Sequence, residues 1–204
     1  DLGNFRIPFV PNEGQMDENV KFYAKTFAAT ISITERGELI YSAPNFKLKT
    51  PNFFTFKEQP VGGRTDEVKP GKESQTKVSY FHGNDPRKWK SGLNTYEEVS
   101  LGEAYEGIEI KLRAYGNNVE KIFCVQPGAD PEEIKMRLGG VKNLRVTGSG
   151  ELEVEIEGGR MKFTKPIAYQ EIDGKRNEVK VTYNIQKSES NFQNLEEKSA
   201  IHTP

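Results

Sequence analysis

Ile108 to Val125 reads IEIKLRAYGNNVEKIFCV. Ile108, Ile110 and Leu112 alternate with Glu109, Lys111 and Arg113, which is the period of a half-buried strand and not of a helix. Gly116, Asn117 and Asn118 tolerate the positive φ of a tight turn, so the chain reverses into a second strand containing KIFCVQ. On that strand Ile122 and Cys124 are expected to share one face, with Cys124 acting as a small buried hydrophobe. The stretch is a hairpin, and it sets the class of the whole chain.

The same period recurs outward from it, in ATISIT (Ala29 to Thr34), LEVEI (Leu152 to Ile156) and VKVTY (Val179 to Tyr183). Turn signals separate the runs: Arg36-Gly37, Gly148-Ser149-Gly150, Gly158-Gly159 and Asp173-Gly174. One helical start interrupts them. In PGADPEEIKMRL, Asp130 suits an N-cap, Pro131 the first helical position and Glu133 the third, and Gly139-Gly140 limits the helix to about 130–138. The expected fold is an all-β antiparallel sandwich, single or built of two packed β units, with that one short helix. Composition divides the chain into an N-terminal β unit (1–57), a Gly-, Pro- and charge-rich loop or linker (58–75), a main sandwich unit (76–187) and a polar tail (188–204). No repeat of fixed period is present, which argues against a solenoid or propeller within this chain.

Lys and Arg number 29 against 30 for Asp and Glu, a balance that argues against a protein that coats nucleic acid. No apolar run is long enough to cross a bilayer, so no transmembrane segment and a soluble domain are expected. The chain starts at Asp1 without an initiator Met, as expected of a processed exported protein or a fragment. Cys124 is the only cysteine, which excludes an internal disulfide and a cysteine-based zinc site. No cofactor is expected.

YFHGNDPRKW (Tyr80 to Trp89) tests the chemistry, because it holds one of two histidines, an aspartate and the sole tryptophan. Asn84, Asp85 and Pro86 make a turn, since Asx side chains bond nearby amides and Pro fixes φ. A His closing a strand and a Trp covering the core edge account for the rest, in preference to a hydrolase using His82 with Asp85. No Gly-x-Ser-x-Gly elbow is present, and His202 lies in the tail without a partner for a metal. Glu97, Glu98, Glu103, Glu106 and Glu109 could supply a glycosidase pair if two stood at the right separation with one pKa raised. Solvated strand faces are the preferred explanation, and no Asp-x-Asp-x-Asp calcium loop occurs. Tyr80, Trp89 and Tyr96 flank loops and form a candidate sugar-stacking set, with Tyr105 a fourth ring beside a loop. The Arg87-Lys88-Trp89-Lys90 cluster is too short, in a neutral chain, to argue for single-stranded nucleic acid.

FVPNEGQMDENVKFYA (Phe9 to Ala24), VSYFHGNDPRKW (Val78 to Trp89), the run from Thr95 to Gly140 and FTKPIAYQEIDGKR (Phe163 to Arg176) occur in order. As a set, over about residues 9 to 185, they resemble the N-terminal β module of bacterial secreted and cell-surface proteins that often carry SBBP-type β-propeller repeats. The resemblance implies a non-enzymatic, extracellular or cell-surface structural module with no assigned catalytic residues. Relatives continue with a further apolar strand where this chain turns into SESNFQNLEEKSAIHTP, so a sheet edge is expected to need covering. Either the tail folds back or a neighbour adds a strand, building a filament by exchange of 1–10 and 188–204. Phe5, Ile7, Phe192, Leu195 and Ile201 are the expected assembly contacts, and a protein partner or self-association is expected, with a surface glycan as the alternative partner.

Overall fold

A computed structural model describes residues 5–44, 53–65, 67–81, 83–187 and 194–201. The N-terminal third gives β1 (Arg6–Ile7), β2 (Val10–Pro11), β3 (Val20–Lys25), β4 (Thr30–Thr34), β5 (Leu39–Pro44) and β6 (Phe53–Pro60). There follow β7 (Lys69–Pro70), β8 (Glu73–Tyr80), β9 (Lys90–Tyr96), β10 (Val99–Tyr105), β11 (Ile108–Tyr115) and β12 (Val119–Val125). The chain continues through β13 (Lys135–Gly139), β14 (Val141–Val146), β15 (Leu152–Ile156) and β16 (Gly159–Phe163). It closes with β17 (Ala168–Ile172), β18 (Lys175–Val179), β19 (Val181–Lys187) and β20 (Asn194–Ile201). Every pairing is antiparallel, so the protein is all-β in layered antiparallel sheets. Among the described residues no helix is long and apolar enough to cross a membrane.

The hairpin of β11 and β12 forms as its sequence predicts, in unbroken register from Ile108↔Val125 to Ala114↔Val119. β10 pairs with the other edge of β11 along Ile108 to Leu112, and β1 continues that edge at Ala114 and Tyr115. The second large sheet has eight strands in the order β19-β20-β13-β6-β5-β4-β3-β2. Its neighbours β14-β15-β16 form a three-stranded sheet, while β8-β9 and β17-β18 are separate two-stranded hairpins.

One apolar cluster joins the layers. Ile31, Ile33, Leu39 and Phe56 from the eight-stranded sheet meet Leu101, Ile108, Ile110 and Leu112 from the other, along with Leu152 and Val154 from the three-stranded sheet. Each such fully enclosed Ile or Leu is worth roughly 1.5–3 kcal/mol relative to exposure. A smaller cluster of Val10, Val20 and Tyr23 supports Val78 and Tyr80 on the β8-β9 hairpin. The N-terminal segment ties the parts together: β1 pairs with β11, Phe9 bridges Tyr96 on β9, and β2 pairs with β3.

Two expectations change, and one open alternative narrows. The chain does not divide at a 58–75 linker, because β6 runs through Pro60 and pairs with β13, and Val68 is buried in the shared core. The helical start at Asp130 forms, with its carboxylate accepting from Glu132 N at 2.9 Å, but it yields only a 3-10 turn over Pro131–Glu133. Ile134, Met136 and Leu138 bury themselves at period two, and that burial makes Lys135–Gly139 a strand. The sheet edge is covered by the chain itself, since β20 pairs with β13 on one side and β19 on the other. Leu195 and Ile201 lie on this strand, opposite Leu138 and Val181 respectively, while Phe192 falls outside the described residues.

Candidate functional site

The residues nominated for chemistry collect at the β8-β9 hairpin and along β10. At the hairpin tip the Asp85 carboxylate accepts from Arg87 N at 3.1 Å and from the guanidinium at 2.9 and 3.0 Å. Its side-chain bonds to Arg87 hold the Asp85 carboxyl below the usual carboxylate range. Asp85 is therefore the cap of its own 3-10 turn, Pro86–Lys88. His82 lies outside the described residues. The Trp89 indole N–H donates to Gly83 O at 3.1 Å, and its ring meets Phe81 edge-on at 5.5 Å.

Tyr80, Trp89 and Tyr96 do not form one stacking platform. Tyr80 turns inward, edge-on to Tyr23 at 6.5 Å, and the two hydroxyls hydrogen-bond. Burial, reinforced by that bond, raises the Tyr23 phenol well above its ordinary value. Tyr96 packs edge-on against Phe22 at 6.0 Å and its backbone pairs with Phe9. Only Trp89 remains half-exposed, beside Phe81, which is 65% exposed and which the sequence reading did not nominate. Its signal was position: Tyr80 pairs with Lys90, so Phe81 and Trp89 face each other across the tip. Tyr105, weighed with these three, is buried in the main core.

Four of the five glutamates around β10 are tied into the fold, and Glu106 lies exposed in the turn between β10 and β11. Glu97 receives Arg6 at 2.5 Å and Lys72 at 2.8 Å, and the Lys72 hydrogen bond leads the effects that lower its pKa. Glu98 pairs with Arg113 at 2.8 Å. Glu109 accepts from Ser100 at 2.7 Å and faces Lys111 at 3.3 Å. Glu103 accepts from Gly107 N at 2.8 Å and fastens the turn before β11. A glycosidase acid needs a raised pKa, and Glu97 has a lowered one. The shallow depression lined by Arg6, Lys72, Glu97, Glu98 and Arg113 is therefore filled by ion pairs, three cations against two carboxylates.

A different group of ionisable residues sits in the interior. Glu58 on β6 is wholly buried (0% exposed) and hydrogen-bonds Lys121 of β12 through Oε1, while Oε2 accepts from the Tyr41 hydroxyl at 2.9 Å. Tyr41 and Phe56 stack at 4.5 Å, and Phe163 meets both edge-on at 6.2 and 6.3 Å. The Lys121 ammonium lies 5.4 Å from the Phe163 ring centre and 5.9 Å from that of Phe123. The β11-β12 register explains its direction, because Lys121 pairs with buried Leu112. Ile122 and Cys124 stand opposite Lys111 and Glu109, so the expected burial of Cys124 is corrected to a partly buried position on the polar face.

The model of one family, described as a domain of unknown function (DUF7948), matches residues 9–200. The chain belongs to the DUF7948 family. The matched span opens at Phe9, the residue bridging to β9, and ends within β20. The closing strand is thus part of the DUF7948 unit. No match was found among curated proteins or among solved structures.

Glu58, Lys121 and Tyr41 were missed in the sequence because Glu58 fell in the stretch taken for a linker and Lys121 on the face taken for solvent. A signal existed in FFTFKEQP, where Glu58 follows Phe54 and Phe56 at period two. VEKIFCV carries the matching one, Lys121 between Val119 and Phe123.

Proposed function

We propose that this DUF7948 domain is a non-enzymatic structural module of the cell surface or extracellular space. The observation that carries the reading is the commitment of five of the six candidate carboxylates to folding: Asp85 caps a turn, Glu97 and Glu98 hold Arg6, Lys72 and Arg113, Glu103 closes a hairpin, and Glu109 accepts from Ser100. The ordered motifs shared with bacterial surface proteins support the location. Both terminal segments pair within the chain, so the module is read as self-contained, and exchange of termini is not required to complete its sheets. Labelling of an epitope-tagged protein on intact cells of the source organism tests the reading. Labelling before lysis is expected, and a tag reachable only after lysis rejects it.

A second reading has one observation in its favour, the solvent-facing Phe81-Trp89 pair at the end of a projecting hairpin. In it the tip contacts a glycan. Binding on a glycan array that Trp89→Ala and Phe81→Ala both abolish is the expected result; retention in the double variant rejects the site.

A further inference from the structure

Lys121 and Glu58 meet between the two large sheets, β12 belonging to one and β6 to the other. Enclosing an ion pair is costly, and replacing such pairs by apolar residues often stabilises a protein. The enclosure here is aromatic, formed by Tyr41, Phe56, Phe123 and Phe163. The two carboxylate oxygens are also differentiated: Oε1 faces the amine, and Oε2 faces a hydroxyl donor 2.9 Å away. That division satisfies both oxygens of a buried carboxylate, and it is also the arrangement that acyl transfer uses, an amine at one oxygen and a donor at the other.

We propose that Lys121 and Glu58 condense into an intramolecular amide that covalently joins β12 to β6. A proton first passes from Nζ to Oε1 along their hydrogen bond, giving a neutral amine and carboxylic acid, the forms an apolar enclosure favours for such a pair. The Nζ lone pair then attacks Cδ. The new N–C bond displaces the carbonyl π electrons onto Oε2, where the Tyr41 hydroxyl already donates. Collapse restores the carbonyl at Oε2 and breaks the Cδ–Oε1 bond, and Oε1 departs as water with a second proton from the nitrogen. Ammonium and carboxylate together contain the atoms of one amide and one water, so no further reagent enters. Fixed contact between the reacting groups supplies proximity, and the reacting carboxyl of Glu58 is wholly shielded from bulk water while the Lys121 side chain keeps 15% exposure. Tyr41 is the catalytic residue of this step because it touches the oxygen on which charge develops. The inference rests on the interior cluster and is independent of where the protein resides.

Intact-mass spectrometry of the purified, folded full chain decides it. The expected mass is one water below that of the sequence, and a tryptic digest should contain a branched peptide joining the Glu58 and Lys121 segments, uncleaved after Lys121. Lys121→Met and Glu58→Ala should restore the full sequence mass. Tyr41→Phe, which retains the ring, should slow the change, giving a mixture in which the lighter species grows with time after folding. Wild-type protein that keeps its full mass after prolonged incubation, or whose lost water maps to another position, overturns the proposal whether or not the variants fold.

Discussion

At Gly107 the backbone has φ +69°, and an added Cβ would lie 2.8 Å from the Cβ of Ala129. Gly107→Ala therefore combines left-handed strain of about 1–2 kcal/mol with a collision, and should lower Tm by about 2–8 °C in calorimetry. Tyr23 makes a prediction for alkali. Its folded-state pKa is raised above the ordinary phenol value of 10.0, so the unfolded chain ionises first and stability falls as pH rises past that value. Tyr23→Phe should cost about 0.5–1.5 kcal/mol at neutral pH through the lost hydroxyl bond, yet flatten the alkaline decline in urea titrations. Single residues were the least legible part of the sequence. In VEKIFCV both faces contain apolar residues, and Ile122 with Cys124 looked as good a core face as Val119 with Phe123. The partner strand resolves the tie, because Leu112 and Ile110 lie opposite Lys121 and Phe123. Pairing is not local information, and no reading of one strand recovers it.

Elements were more legible than their ends. The β11-β12 hairpin, the β15 run and the Gly158-Gly159 turn follow from period and turn chemistry alone. The helix expected over 130–138 failed because its cap was real but its body alternated, and burial of Ile134, Met136 and Leu138 outweighs a favourable first turn. Two tests belong to this scale. β1 is held partly by the Arg6-Glu97-Lys72 group, whose carboxyl is lowered from 4.5. Its contribution is complete above that ordinary value and is lost as pH falls through the lowered one, so protection of β1 amides from hydrogen exchange should drop on acidification while that of β11 and β12 persists. Added salt should weaken the same contacts. At the β8-β9 tip, Asp85→Ala should alter the emission of Trp89, the only tryptophan, with little change in global Tm.

The whole molecule is one core where composition suggested two units. A run rich in Gly, Pro and charge predicts exposure, but strand pairing needs only alternate inward residues, and Phe54, Phe56 and Glu58 provide them up to the edge of the presumed linker. The need for a cover on the open edge is legible in the sequence and its source is not; the chain's own residues 194–201 supply it. A chain ending at Gln186 should expose the edges of both β13 and β19. It is expected to form higher oligomers or precipitate, seen by light scattering with size-exclusion chromatography, and a well-behaved monomer would reject the assignment of β20 as the seal.

The order β19-β20-β13-β6 also has a temporal meaning. Residues 135–139 lie between an earlier segment, 57–60, and a later one, 194–198, so one side of their backbone waits while some fifty-five more residues emerge. At typical synthesis rates that interval is roughly 3–11 s, long compared with hairpin formation. During it the half-built molecule presents an unzipped margin. Shielding of that margin is useful until residues 194–198 arrive.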